Sequence, residues 1–401
     1  TVTDLAASRQ LKIIEGVFSR CESIIVATDA GREGELIFRW IYDYLGCTKP
    51  FMRLWISSLT DEAIREGMAN LRNGSDYDSL HAAADCRAKA DWLVGMNASR
   101  ALAIATSSAN NSIGRVQTPT LAMICTRFKE NRNFVPVPYW QLHITLTQGE
   151  AHRQFIHTGE FKDKAAAETA FGNIGIGSQA TVTRLERKRV FRQPPLLYDL
   201  TSLQKDCNTH YDLTAEKTLS IAQSLYEKKL ISYPRTGSRH IPEDVFAEVP
   251  LLLERLASHS TLSDKIVNLD GLNRRSVDAS KVTDHHALLV TPNRPLALYK
   301  NEQIIYDMIA GRMVEAFSPE CVKDTTIVEA ECEGMAFEAK GCIVRKAGWR
   351  GVYGEYGEDS GNTALPDWAE GDTLVMAGCS MSLGMTRPKP LHTESSLLAA
   401  M

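Results

Sequence analysis

The feature that most constrains this chain is a two-residue period that begins at Tyr139, breaks off, and returns after residue 318. Trp140, Leu142, Ile144 and Leu146 alternate with Gln141, His143, Thr145 and Thr147, the pattern of a strand with one buried and one wet face. Similar β patches lie at Ala180–Leu185, Thr326–Cys332 and Cys342–Val344. Residues 191–318 between them read as mainly helical, opening after the rigid Arg192-Gln193-Pro194-Pro195 boundary. A β region that stops and resumes predicts one domain inserted into another.

The N-terminal part follows a different plan. Ile24 to Ala27 form a short apolar run ending in Thr28-Asp29, as a buried parallel strand would. Leu36, Ile37, Trp40, Ile41, Tyr44 and Leu45 then recur at helical spacing until Gly46. Strand, acidic turn and helix make an α/β layer, and residues 77–132 read as mostly helical. At roughly 150 residues per domain, 401 residues predict two to four domains.

Composition narrows the function classes. A net charge of −4 argues against a simple nucleic-acid coat, so phosphate binding has to rest on local basic patches. One patch is Arg184, Arg187, Lys188, Arg189 and Arg192, which reads better as a solvated surface. The other is Lys228, Lys229, Arg235 and Arg239, beside a tyrosine. Nine scattered cysteines without a CxxC pair disfavour zinc and a disulfide framework, and fit reduced thiols in a cytoplasmic protein. No apolar run approaches ~18 residues, which disfavours a membrane span.

Four blocks carry candidate chemistry. In Asp29-Ala30-Gly31-Arg32-Glu33-Gly34-Glu35, carboxylates at a strand end and a helix start would suit a hard, water-retaining Mg²⁺ ion. The helix N-terminus adds its own attraction for phosphate. By composition alone, a solvated acidic helix start explains this block better. In Ile231-Ser232-Tyr233-Pro234-Arg235-Thr236-Gly237-Ser238, a phenol with a pKa near 10 needs a cation or base beside it to act as a nucleophile. Arg235 offers a planar fork of donors to phosphate; a structural tyrosine with a surface arginine is the ordinary alternative. The helix before it, read as Thr214–Leu230, carries Leu219, Ala222, Tyr226 and Leu230 on one face and Gln223 with Glu227 on another. In Thr283-Asp284-His285-His286, the adjacent histidines point different ways and suit structural or surface roles. In Ser112-Ile113-Gly114-Arg115-Val116-Gln117, Ser112, Arg115 and Gln117 can donate to phosphates. Upstream, Arg87 and Asp91 lie four apart on one helix face, where they can pair or jointly meet a ligand.

Taken in order, these blocks resemble the type IA DNA topoisomerases, nearest the topoisomerase III branch. DAGREGELIF is similar to the acidic Toprim motif, usually Asp-x-Asp-x-Glu followed by Gly-Glu. TAEKTLSIAQSLYEKKLISYPRTGS is similar to the active-site segment, DHHALL to His-His-Ala-Ile-Ile, and SIGRVQTP to Ser-x-Gly-Arg-Val-Gln-Ser/Thr-Pro. Thr386-Arg387-Pro388-Lys389-Pro390 followed by Thr393-Glu394 is similar to a Thr-x-Pro-Pro…Thr-Glu-Ala block. The resemblance implies a multi-domain α/β and α+β torus. Its parts would be a partial Toprim domain at 1–76, a helical single-strand-binding segment at 77–132, a β-rich arch at 133–190 and 319–378, an inserted helical domain at 191–318 carrying the active-site tyrosine, and the start of a second segment of the helical domain at 379–401.

The same resemblance implies the chemistry. Tyr233 would be the nucleophile that keeps a DNA 5′-phosphate, Arg235 the catalytic arginine, and Glu227 a glutamate facing the site. Glu33 would serve catalysis and hold Mg²⁺ with Asp29, while His285 would contact phosphate or move a proton. Arg32, Arg87, Asp91, Ser112, Arg115, Gln117, Gln223, His286 and Thr386 would meet DNA. The partners implied are single-stranded and underwound duplex DNA, handled by a monomer without ATP; indeed no GxxxxGK[ST] loop occurs. Gly31 and Gly237 stand where the family carries acids, and nothing before Asp29 matches the family's earlier strand with its Glu and Lys. The expectation is a fragment lacking that strand and the C-terminal end, impaired in relaxation. Two other readings stay open: an inert single-stranded DNA-binding relative, and a Toprim nuclease or primase.

Overall fold

A computed structural model describes residues 4–57, 60–108, 111–257, 262, 271–353 and 364–401. The chain starts with α1 (Leu5–Arg20), β1 (Ile24–Val26), α2 (Arg32–Tyr44), β2 (Phe51–Arg53), α3 (Asp61–Ala69) and β3 (Arg72–Asn73). β1 pairs parallel with β2, and β3 antiparallel with β2. The expected strand, turn and helix are therefore present, although of β1 only Val26 is buried. α2 likewise leaves Ile37, Trp40 and Tyr44 exposed, while Leu36 and Phe38 pack inward.

Two helices follow, α4 (Asp78–Thr106) and α5 (Gln117–Arg132). The chain then enters β4 (Pro138–Gln148), β5 (Ala151–His157), α6 (Lys164–Asn173) and β6 (Gln179–Arg192). An inserted body contributes α7 (Leu200–Tyr211), α8 (Ala215–Glu227), α9 (Glu243–Leu256) and α10 (Lys300–Phe317). Last come β7 (Cys321–Cys332), β8 (Met335–Lys346), β9 (Thr373–Met385) and α11 (Glu394–Ala400). No described helix is long and apolar enough to cross a membrane.

The six longer strands close into a barrel in the order β4-β5-β8-β7-β6-β9. Leu142, Ile144 and Leu146 point into it, fully buried with Phe155, Val328, Phe337, Trp368 and Leu374. At about 1.5–3 kcal/mol for each fully buried large apolar side chain, this alternation is what holds β4 in register. β9 closes the barrel by pairing with both β4 and β6, and it continues beyond residue 378 as far as Met385.

β6 and β7 pair antiparallel from Ala180↔Cys332 to Arg192↔Cys321. The inserted helices thus hang from a two-stranded stem, with a core of their own built on Leu197, Leu203, Leu225, Ile231, Leu288, Ile309 and Met313. β6 and β7, far apart in sequence, are thus neighbours in the barrel.

Candidate active site

The acidic turn between β1 and α2 is held from below by one buried arginine. Arg53 at the end of β2 donates to the backbone carbonyls of Val26, Thr28, Leu54 and Asp29 over 2.5–3.0 Å. Its Nε also pairs with Glu35 at 3.0 Å, both side chains being fully buried. Glu35, part of the acidic motif, therefore anchors the turn and faces away from solvent. Gly34 is required for close approach, because a Cβ there would run into the backbone of Asp29. Asp29, Arg32 and Glu33 remain exposed on the turn.

The tyrosine segment is laced to the double-histidine segment by backbone and hydroxyl bonds. Ser232 N donates to Leu289 O, Thr291 N to Leu230 O, and Ala287 N to His240 O. Thr236 Oγ1 donates to His285 O at 2.9 Å. α8 ends at Glu227, earlier than its periodicity suggests, because Lys229 turns into the left-handed region at φ 60°. Leu230 then leaves the helix, and the face buried along α8 is Thr218, Ala222 and Leu225. The early end lets the chain reverse and present Tyr233 beside the helix.

The two segments converge. The Tyr233 and His285 rings lie 4.5 Å apart, and Tyr226 packs edge-on to Tyr233 at 5.3 Å. His285 Nε2, buried and without a hydrogen-bond partner, sits 3.5 Å from Asp29 Oδ1. Thr60 Oγ1 adds a second tie across the same interface, donating to Asp244 Oδ2 at 3.0 Å. A cavity of about 400 Å³ at this junction is lined by Ser57, Glu227, Lys229, Tyr233, His285 and His286, among others.

Burial dominates the electrostatics of the site. Burial is the main influence raising the Tyr233 phenol above its ordinary pKa; Asp29 pushes the same way and Arg235 opposes them. Burial pulls His286 below the ordinary imidazole range, with its Nδ1 at 2.7 Å from Ala287 O. Gln223 Nε2 donates to Glu227 at 3.1 Å on the exposed side of α8. Asp29 and Glu33 offer hard oxygen donors of the kind Mg²⁺ takes one or two of while keeping waters and a phosphate. The described residues contain no ready-made cage of three or more His, Cys, Asp or Glu.

Other predicted residues lie in separate groupings. Asp91 pairs with Arg115 through both carboxylate oxygens, so Arg115 rather than Arg87 is its partner. Gln117 donates to Ser112 at 3.1 Å, and Ser99 ties Ile113 to α4. Thr386 closes the neck of the barrel, its Oγ1 accepting from Val137 N at 2.8 Å. Within the basic group near the tyrosine, Lys228 turns away to grip Glu302 at 2.6 Å, and Arg239 donates to Leu197 O. Only Lys229 of that group lines the cavity, with Arg235 exposed beside it. Sequence reasoning missed the buried Arg53 and the placement of Asp284, whose carboxylate lies against Gly31.

The DNA topoisomerase family model matches residues 75–401. The DNA topoisomerase 3 of Bacillus licheniformis is 40% identical over 95% of this chain and 54% of its own length. That of Bacillus subtilis is 38% identical, over 94% of this chain and 54% of its own length. The chain belongs to the type IA DNA topoisomerases, on their topoisomerase III branch. It spans about half the length of the curated relatives it matches. The full-length topoisomerase I of Thermotoga maritima shares the fold, with a TM-score of 0.73 at 20% identity, over 99% of this chain and 66% of that one.

Proposed function

We propose that this chain carries the strand-cleaving centre of a DNA topoisomerase, with Tyr233 as its nucleophile. One observation carries the reading: Tyr233, His285 and Asp29, from segments far apart in sequence, meet at one interface. In the proposed step Tyr233 Oη attacks a backbone phosphorus of single-stranded DNA. The bond to the sugar O3′ breaks, that oxygen takes up a proton, and the 5′-phosphate stays on the tyrosine. Reversal reseals the strand, and the bond energy is conserved without ATP.

Each residue has a physical task in this step. The phenol is held up by burial, so its proton has to leave as the phosphate arrives; in this reading His285, whose ring lies 4.5 Å from that of Tyr233, takes it. Arg235 stabilises charge on the phosphate oxygens, and Glu227, Gln223 and His286 surround the approach. Asp29 and Glu33 would hold Mg²⁺, whose charge favours holding and rejoining the ends. Arg32 lies at the start of α2, where phosphate is welcome. Arg87, Asp91, Ser112, Arg115, Gln117 and Thr386 would track the single strand. In this reading residues 1–76 form the acidic layer, the barrel forms the arch, and the insert is the gate whose swing lets a second strand pass, for relaxation or decatenation.

The test is a covalent-adduct assay on end-labelled single-stranded DNA, with and without Mg²⁺, read after denaturation. Label retained on the protein supports the reading. Freed 5′-phosphate ends without attached protein would point to a nuclease, and bound but uncut DNA to an inert binding relative.

A further inference from the structure

The two glycines that stand in for family acids flank the same pair of residues. The nearest atom to a Cβ built on Gly237 is Thr283 Oγ1, at 4.0 Å. A Cβ built on Gly31 would overlap the carboxylate carbon and both oxygens of Asp284. Gly31 has φ −160° and ψ 178°, extended backbone open to any residue, so space rather than conformation demands the glycine. Gly31 is also the N-cap of α2 and offers no side-chain acceptor to the free N–H groups there. Asp284 delivers a carboxylate to that point from the insert, where the helix dipole favours it. Burial, the largest influence, pushes the Asp284 carboxyl above its ordinary range, with Asp29 and Glu33 adding to this and His285 and Arg32 opposing it.

We propose that Asp284 is a positioning residue: its carboxylate, seated in the notch at Gly31, registers the Tyr233 segment against the acidic turn. One carboxylate supplied from the insert thereby fills the space that a side chain at 31 would take. The link to the nucleophile is short, since the carbonyl of the next residue, His285, accepts from Thr236, three residues after Tyr233. The catalytic consequence rests on Tyr233 being the nucleophile; the docking does not.

The test uses this chain with Asp284→Ala, Gly31→Asp, and the double substitution Gly31→Asp/Asp284→Gly, which moves the carboxylate to the other side of the interface. Amide hydrogen exchange over residues 283–287 and adduct formation on single-stranded DNA are both measured. Asp284→Ala should speed exchange about tenfold by freeing the segment locally, and should slow adduct formation about tenfold by misplacing the nucleophile. Gly31→Asp, forcing two carboxylates into one space, should do at least as much. The double variant should return both readouts to within about threefold of the parent, since a carboxylate again bridges the interface. A role for Asp284 confined to the fold of the insert would not be rescued from position 31. Unchanged exchange in Asp284→Ala, or a double variant no better than Asp284→Ala, overturns the proposal. If the parent forms no adduct, the nucleophile reading fails while the exchange data still decide the docking. If Gly31→Asp does not fold, Asp284→Ala and the double variant suffice.

Discussion

Two surfaces of this molecule are rich in cations, and they differ in what faces them. Along β6 three of the four arginines meet an acid: Arg184 pairs with Glu186 and Glu329, Arg187 with Asp367, and Arg189 shares Asp324 with Arg345. Around Tyr233, Lys229 and Arg235 have no ion-pair partner among the described residues, although Asp29 lies close enough to be felt by the phenol. Similar basic content therefore gives one largely neutralised wall and one site with charge to spare. Counterion release on DNA binding requires free cations, and only the second surface has them.

The largest expected effect separates chemistry from binding at the second surface. Tyr233→Phe removes the oxygen proposed to attack and should abolish covalent adducts, while single-strand binding stays within a few-fold by gel shift. A persistent adduct would move the nucleophile elsewhere and erase the contrast. Next is Arg53→Ala, which removes one of the two arginines paired with Glu35 and takes a donor from four carbonyls of the acidic turn and its strands. Removing one member of a buried ion pair costs about 3 kcal/mol, and urea unfolding should show most of that loss. A loss below about 0.5 kcal/mol, the range of ordinary surface substitutions, would mean that the turn holds itself.

Arg235→Ala should slow adduct formation about a hundredfold, as for other donors aimed at transition-state charge. Arg235→Lys, which keeps the charge but loses the fork, should recover only part of it. Full recovery by lysine would mean that field alone matters there. A pH effect ranks below these. Burial depresses His286 from its ordinary 6.5, so the folded state resists protonating it. Its contribution to stability is fully present above about pH 6.5 and is lost as pH falls through the lower folded value. His240 is shifted in the same direction, chiefly by burial. Unfolding midpoints should therefore drop on acidification from pH 7.5 to 5.5, and His286→Gln should flatten the slope; an unchanged slope would rule out a buried neutral role for His286.

What was readable in the sequence follows from the range of the forces involved. Leu142, Ile144 and Leu146 announced β4 because one strand buries all three in a row. β9 gave a weaker sign: its apolar alternation changes phase between Met376 and Cys379, opposite an irregularity in its pairing with β4, and pairing with β4 and β6 holds it in place. The tyrosine and double-histidine blocks were visible because their chemistry is packed into a few consecutive residues. Arg53 was not, since its role depends on carbonyls and a carboxylate brought to it by the parallel pairing of β1 and β2. The same holds for Asp284, which matters only once the insert rests on the acidic turn. Lys228 misled for a related reason, as its local neighbours gave no hint of Glu302 on α10.

The smallest effect is expected on the neutralised wall, and it is the one that tests the comparison most directly. Arg189 and Arg345 together hold the Asp324 carboxyl down to about 2, with Arg189 the stronger influence. Both arginines are largely exposed while Asp324 is half-buried, and pairs whose cations face solvent add little to stability. Arg189→Ala should therefore leave the unfolding midpoint nearly unchanged and single-strand affinity within about twofold, with the salt dependence of binding unaltered. Lys229→Ala, one cation removed from the other surface, should instead reduce that salt slope by close to one unit. Should Arg189→Ala lower the slope as much as Lys229→Ala does, DNA would be displacing Asp324 from its partners, and β6 would count as part of the binding track.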